Sequence, residues 1–288
     1  MQIVISGLAL GCVYALIALG FTLIYKATEA VNFAQGELMM LGAFLAFTFV
    51  HLWQWPYLVG VVGAVLVAGL LGAALQRWLL RPVEGESTIA VVMVTLAIAM
   101  IARGLASMVP GWGTATHRLA APYQGDMVDI ASWRLSADHV VVIAATALIC
   151  LGLHWFFRST RTGVAMRAIS QNQIAAHYVG VPVARVNALV WALSAALAAI
   201  AGVLLAPITF VHANMGHIGI LAFPAAVIGG LGSVPGAVAG GLVLGLSEAL
   251  AGFFLPEGAK DLAPFALVLL VLLLRPSGLF GEPTLKKV

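Results

Sequence analysis

Charge is what this sequence has least of: Asp, Glu, Lys and Arg make up 9% of its 288 residues, where soluble domains carry about a quarter. That shortage excludes an ordinary solvated surface. Cysteine is scarce too. Cys12 and Cys150 both fall inside apolar runs, where a thiol acts as a small hydrophobe, so we expect neither a disulfide nor a cysteine-based metal site. No G-x-x-x-x-G-K-[ST] stretch occurs, and the one glycine-rich segment, residues 229–236, has no lysine after it and no strand before it. Nucleotide hydrolysis by this chain alone is thereby excluded. HExxH, GxSxG and CxxC are also missing, so no nucleophile with a plausible base can be assembled into an intramembrane enzyme. The seven histidines are dispersed, and the closest pair, His212 and His217, lacks carboxylate or thiolate partners for a metal. The basic residues behind the net charge of +3 are scattered singly, without stacking aromatics, which argues against nucleic acid.

What is present is hydrocarbon: 62% of the residues are hydrophobic. Lipid tolerates only spanning structures that satisfy their own backbone, and the long runs without period-2 alternation favour helices over a barrel. Spans are expected near 3–25, 31–50, 57–79, 87–108, 139–157 and 183–206. Residues 217–255 are too long for one span and are broken by "GGLGSVPG" (229–236), which predicts a short segment, a break and a further helix. A last apolar run covers 262–274. The expected fold is an all-α polytopic bundle with eight or nine crossings, a single transmembrane domain over 1–288. Residues 1–25 lack a basic n-region and a small-residue cleavage pattern, so they are taken as the first span and not as a signal peptide.

Lys and Arg are retained on the cytoplasmic side. With the N terminus outside, nine crossings place Lys26, Arg77, Arg81, Arg158, Arg161, Arg167, Arg185, Arg275, Lys286 and Lys287 inside. Only Arg118, Arg134 and Lys260 then lie outside, with Arg103 near a helix end. The external loop, about 109–138, holds Asp126, Asp129, Asp138, two tryptophans and a tyrosine. Its "MVDIASWRL" portion alternates like a short ribbon. Either it docks a partner or it is a solvated connector with interfacial aromatics. Glycines four apart in "GLALG" (7–11), "GAVAG" (236–240) and "GLVLG" (241–245) predict close helix contacts.

Two carboxylates, Glu37 and Glu248, lie inside apolar spans. Each costs a few kcal/mol unless it faces a cavity, finds a partner or is protonated, so each is a functional candidate. The competing account is structural glue between helix ends and hydroxyls. No basic residue is near either in sequence, and Asn32, Gln35 and Gly36 beside Glu37 suggest a broken or tightly packed helix start.

The motifs "NFAQGE" (32–37), "LRPVEGES" (80–87), "AFPAAVIGGLGSVPGAVAGGLVLGLSEAL" (222–250) and "LRPSGLFG" (274–281) occur in order along nearly the whole chain. Together they closely resemble the permease subunits of branched-chain amino acid ABC importers. That resemblance implies a bacterial inner-membrane protein partnered by a second homologous permease, two cytoplasmic ATPases and a periplasmic binding protein. It implies no cofactor in this chain, with ATP and Mg bound in the ATPase subunits. The polar, basic stretch at 158–185 resembles the cytoplasmic ABC-importer loop with the pattern Glu-Ala-Ala-three residues-Gly. Ala175, Ala176 and Gly180 match, and Ile174 stands where the pattern has Glu.

A helix from about 163 to 179, stopped by Gly180 and Pro182, is expected to be the coupling helix. Arg161, Arg167, Gln171, Ala175, Ala176 and Gly180 are its candidate contacts. The alternative is an amphipathic helix held at lipid headgroups by Arg161 and Arg167. Asn32, Gln35, Glu37 and Glu248 are the expected residues lining or shaping the translocation path. The substrate stays open among branched-chain amino acids, urea, short amides and aromatic acids. A self-sufficient secondary carrier or channel is the rival class.

Overall fold

The computed structural model describes residues 2–130, 133–256 and 258–281. Lys286 and Lys287, counted above among the inner charges, lie outside the described residues. Among the described residues eleven helices run in the order α1 (Gln2–Thr28), α2 (Gln35–Phe47), α3 (Tyr57–Leu75), α4 (Thr88–Met108), α5 (Ala137–Ser159), α6 (Arg161–Gln171), α7 (Gln173–Tyr178), α8 (Val183–Thr209), α9 (Gly216–Gly229), α10 (Val234–Phe254) and α11 (Ala259–Leu274). A π-turn extends α2 to Leu52, and π and 3-10 turns extend α3 to Val83. Among the described residues seven helices are long and apolar enough to cross a membrane, and two shorter apolar helices lie at 213–229 and 262–274. The expected bundle is present, with the 217–255 region divided as the glycine and proline pattern requires. Two strands, β1 (Met127–Ile130) and β2 (Trp133–Ser136), pair antiparallel between α4 and α5, in the stretch that alternates.

Helix starts are set by local chemistry. Ser87, Thr160, Asn172 and Ser233 each accept a backbone N–H in the first turn of the following helix, satisfying a donor that has no intrahelical partner. After α9, Gly230 turns the chain at φ +95° and Pro235 opens α10. The closing "LRPSGLFG" segment folds back onto this break. Leu279 and Phe280 donate backbone hydrogen bonds to the carbonyls of Ile228 and Gly229 at 2.8 and 3.1 Å, so the end of α9 is capped by the tail.

At the centre is α1, whose residues Cys12 to Ile24 are all buried because α10, α8, α9 and α5 pack round it. The glycine spacing is explained by two of these contacts. Gly7 and Gly11 of α1 meet Gly241 and Gly245 of α10, and Gly236 and Gly240 lie against Gly229 and Ala225 of α9. A Cβ on Gly11 would come within 2.9 Å of the Leu242 Cα, and one on Gly245 would strike the Gly11 backbone. Backbone, unlike a flexible side-chain tip, has nowhere to go. Gly245→Ala is therefore expected to cost about 1–3 kcal/mol, measured as a lower unfolding midpoint of the purified chain in detergent. Gly104→Ala, where nothing lies within 4 Å, is expected to leave that midpoint unchanged.

The periphery is different. α4 touches the rest chiefly along α2, and Met93, Met100, Leu105 and Met108 on its outer face are exposed. On α5 the residues Leu148, Leu151 and Trp155 are likewise unpartnered. Those faces suit lipid or another subunit.

Candidate functional site

The first span pair is joined inside the bundle. α1 ends at Thr28, but α2 does not begin until Gln35, and the intervening chain climbs back between helices. Gln35 meets Ser194, which lies about 16 Å along α8 from Val183 at 1.5 Å per residue, so α2 starts well inside the span. Irregular backbone is tolerated at such depth only when protein satisfies it, and the residues of "NFAQGE" do so. Asn32 Oδ1 accepts from the Ala34 N–H at 3.0 Å, and the Phe33 N–H donates to Thr95 Oγ1 of α4 at 3.2 Å. Asn32 Nδ2 and Ser194 Oγ both donate to Gln35 Oε1, at 3.2 and 2.9 Å, while Gln35 Nε2 donates to the Ser194 carbonyl at 3.2 Å. Asn32, Gln35 and Ser194 are fully buried. Gly20 of α1 and Gly36 have no room for a side chain, the first because of Gln35 and the second because of Gly216 and Gly219 of α9.

Two residues on from Gln35, Glu37 finds the cation that was absent near it in sequence. Arg103 of α4 donates through Nη2 to Glu37 Oε1. The carboxylate lies against Gly216, where any side chain would collide with it, so the partially positive N-terminus of α9 faces the negative charge. The Glu37 side chain is 5% exposed and that of Arg103 35%. The pairing is incomplete: Glu37 Oε2 and Arg103 Nε are buried without a hydrogen-bond partner among the described residues. A buried polar group left so is expensive in apolar surroundings, and here one ion pair leaves both an acceptor and a donor unused among the described residues. The rings of Phe21 and Phe33 both pack on Phe223, with centroids 5.5 and 5.8 Å from it.

Glu248 is resolved differently. Its Oε2 accepts from the Tyr14 hydroxyl at 2.5 Å, and Lys260 Nζ of α11 lies 3.4 Å from Oε1. Both oxygens are engaged, and the side chain is 6% exposed. It therefore clamps α10 to α1 and α11 beside the glycine contact. Tyr14→Phe, which removes the hydroxyl and keeps the ring, is expected to destabilise the chain by about 1.5–3 kcal/mol, checked by the unfolding midpoint. An unchanged midpoint would remove the clamp.

The segment expected to be one helix over 163–179 is two. α6 stops at Gln171, Asn172 takes an extended conformation (φ −160°, ψ 104°), and its side chain caps α7 by accepting from the Ala175 N–H at 2.9 Å. An asparagine competes well for backbone donors and so makes a better cap than a helix interior. The stop at Gly180 stands, in the left-handed region at φ +87°. Gly163, Met166 and Ile169 bury one face of α6, Ala176 is buried on α7, and Arg161, Arg167, Gln171, Ala175 and Gly180 are exposed. Ile174, Tyr178 and Val179 are 70, 84 and 80% exposed. Such an apolar patch on a polar segment marks a contact surface.

Arg103, Tyr14, Ser194, Thr95 and Lys260 had no signal as site residues in the sequence, apart from a lone arginine inside an apolar run at 103. Two residues of the loop expected to be external, Trp112 and His117, are held against the bundle. Trp112 stacks on Phe44 at 4.8 Å and donates to Thr48 Oγ1, and His117 bridges to Val211.

Seven helices long and apolar enough to span, packed into one bundle around a buried, half-satisfied ion pair, have the architecture of a multi-pass membrane protein. Residues 3–274 match the family described as branched-chain amino acid transport system permease component, and the chain belongs to that family. It is 34% identical to the high-affinity branched-chain amino acid transport system permease protein LivH of Salmonella typhimurium and of Escherichia coli. Each alignment covers 100% of this chain and 97% of the relative. The corresponding protein BraD of Pseudomonas aeruginosa is 30% identical over 100% of this chain and 98% of its own. A solved chain of PsaBC from Streptococcus pneumoniae in complex with Fab shares the fold, with a TM-score of 0.53 at 14% identity over 96% of this chain and 93% of that one.

Proposed function

We propose that this chain is a permease subunit of an ATP-driven importer for branched-chain or related amino acids. In this reading it works with a second homologous permease, a periplasmic binding protein, and two cytoplasmic ATPases that hold ATP and Mg. The N terminus lies outside and the C terminus and the α6–α7 pair inside, as the distribution of Lys and Arg favours. The observation that carries the reading is the exposed patch of Ile174, Tyr178 and Val179 on α7. It is a ready contact for a soluble subunit at the end where α5 and α8 enter the bundle. Arg161, Arg167, Gln171 and Ala175 border it, Ala176 seats α7 and Gly180 turns it back towards α8.

Glu37 and Arg103 shape the path, with Asn32 and Gln35 holding the broken start of α2 rigid behind them. Their unused acceptor and donor offer polar partners to a solute, or to water, when the helices part. Glu248 supports the path from behind through α1.

Reconstitution tests the whole. The chain alone in liposomes is expected to pass no leucine, isoleucine or valine, and the assembled complex with binding protein and ATP to accumulate them. Flux through the chain alone would convert it to a secondary carrier. Uptake of urea, short amides or aromatic acids in place of branched-chain substrates would move the substrate class and keep the subunit assignment.

A further inference from the structure

Where α3 runs out into its π and 3-10 turns, residues 76–84 and the turn from α7 into α8 enclose a cleft of about 810 Å³. Arg77, Arg81, Arg185 and His177 line it, and among the described residues Glu84 is the one acidic lining residue. Glu84 is already committed: its Oε1 accepts from Gln76 Nε2 at 2.9 Å and from Asn187 Nδ2 at 3.0 Å. The three guanidinium groups have no ion pair or hydrogen bond among the described residues. Three cations therefore share one opening and, among the described residues, have nothing to hold.

The outer face of α3 supplies a second, independent observation. Leu58, Val62, Leu66 and Leu70 recur at every fourth position and are 75, 57, 63 and 71% exposed; Trp78, next in sequence to the lining residue Arg77, is 72% exposed. Residues four apart are neighbours on a helix surface, and Leu66, Leu70 and Trp78, within about 18 Å of one another along the axis at 1.5 Å per residue, form the part of this apolar surface that one leaflet's acyl chains can reach beside the arginines. Indoles favour the headgroup level, and basic pockets between spans on the inner face suit anionic headgroups.

We infer that this cleft binds the phosphate of an anionic phospholipid whose acyl chains lie along the α3 row. Free phosphate would use the arginines and ignore the apolar surface. Acidic side chains of a soluble subunit would arrive from water and ignore it too. His177 and Gly180 belong to the α7 segment, so a lipid seated here ties α7 to the end of α3 and makes the docking segment sensitive to the inner leaflet.

The test is native mass spectrometry of the full chain in mild detergent, with phosphatidylglycerol, phosphatidylethanolamine or inorganic phosphate added. Phosphatidylglycerol is expected to be retained in preference to phosphatidylethanolamine. Arg77→Gln, Arg81→Gln and Arg185→Gln are each expected to lower its occupancy about fivefold per charge. Trp78→Ala is expected to lower it as well. Arg81→Lys, which keeps the charge, and Arg118→Gln, outside the cleft, are expected to leave it within twofold. Equal retention of the two lipids would overturn the inference, as would displacement by millimolar phosphate. So would arginine variants that keep the lipid and lose the ATPase, which would assign the cleft to that subunit.

Discussion

Ile174→Asp is expected to weaken binding of the cognate ATPase by about 100-fold while leaving the permease itself folded. Burying an isoleucine side chain against a partner contributes about 1.5–3 kcal/mol, a factor of about 10 to 150 in the dissociation constant. A carboxylate in its place must in addition be desolvated. Ile174 is 70% exposed, so its loss removes little packing within the chain, and the unfolding midpoint should stay put. Co-purification and titration of the detergent-solubilised permease with the ATPase measure the effect. An unchanged dissociation constant would return α6 and α7 to the role of an interfacial helix pair lying on lipid headgroups. In that case Arg161→Gln and Arg167→Gln would lower liposome partitioning without touching assembly.

Arg103→Met is expected to destabilise the chain by about 3 kcal/mol, the low end for breaking a buried ion pair, because the Arg103 side chain is 35% exposed and retains some solvent. The cost is the uncompensated Glu37 charge, held against Gly216 with no second cation among the described residues. Combining Arg103→Met with Glu37→Gln removes that charge and is expected to recover most of the stability, since a neutral amide is far cheaper to bury. Uptake by the reconstituted complex separates two roles. If the pair shapes the path, the double variant regains its melting behaviour and stays at least tenfold slower than the wild type; full recovery of uptake would reduce the pair to a strut. A single variant as stable as the wild type would show that Glu37 is not a buried charge at all.

The two glutamates show how far sequence reasoning reached. Both were conspicuous because a carboxylate in an apolar run needs an explanation, and both prove to be buried and partnered. Arg103 and Tyr14 lie 66 and 234 residues from them, while Lys260, the second partner of Glu248, follows it by 12. Nothing in the local pattern around position 37 or 248 points to Arg103 or Tyr14, because such pairings are created by helix packing alone. The division of the expected coupling helix at Asn172 was missed for the opposite reason. The residues from 163 to 179 contain no glycine break or proline after Gly163, and only the competition of one side-chain carbonyl for a backbone donor ends α6 there. Ile174, a departure from the expected glutamate, becomes intelligible once its exposure beside Tyr178 and Val179 is known.

What the sequence determined by itself was what the bilayer dictates locally: long apolar helices, a glycine-proline break after α9, and glycines four apart where backbones must touch. Each follows from the need to satisfy backbone groups within the segment and to keep charge out of hydrocarbon. Which glycine faces met, how the chain between α1 and α2 climbs back to place Asn32 and Gln35 on Ser194, and how Glu37 came to face both Arg103 and the start of α9 were decided only in three dimensions. Lipid is as apolar as a leucine side chain, so the choice of helix partner rests on shape and on a few distant polar contacts, and neither leaves a mark in a single stretch of residues.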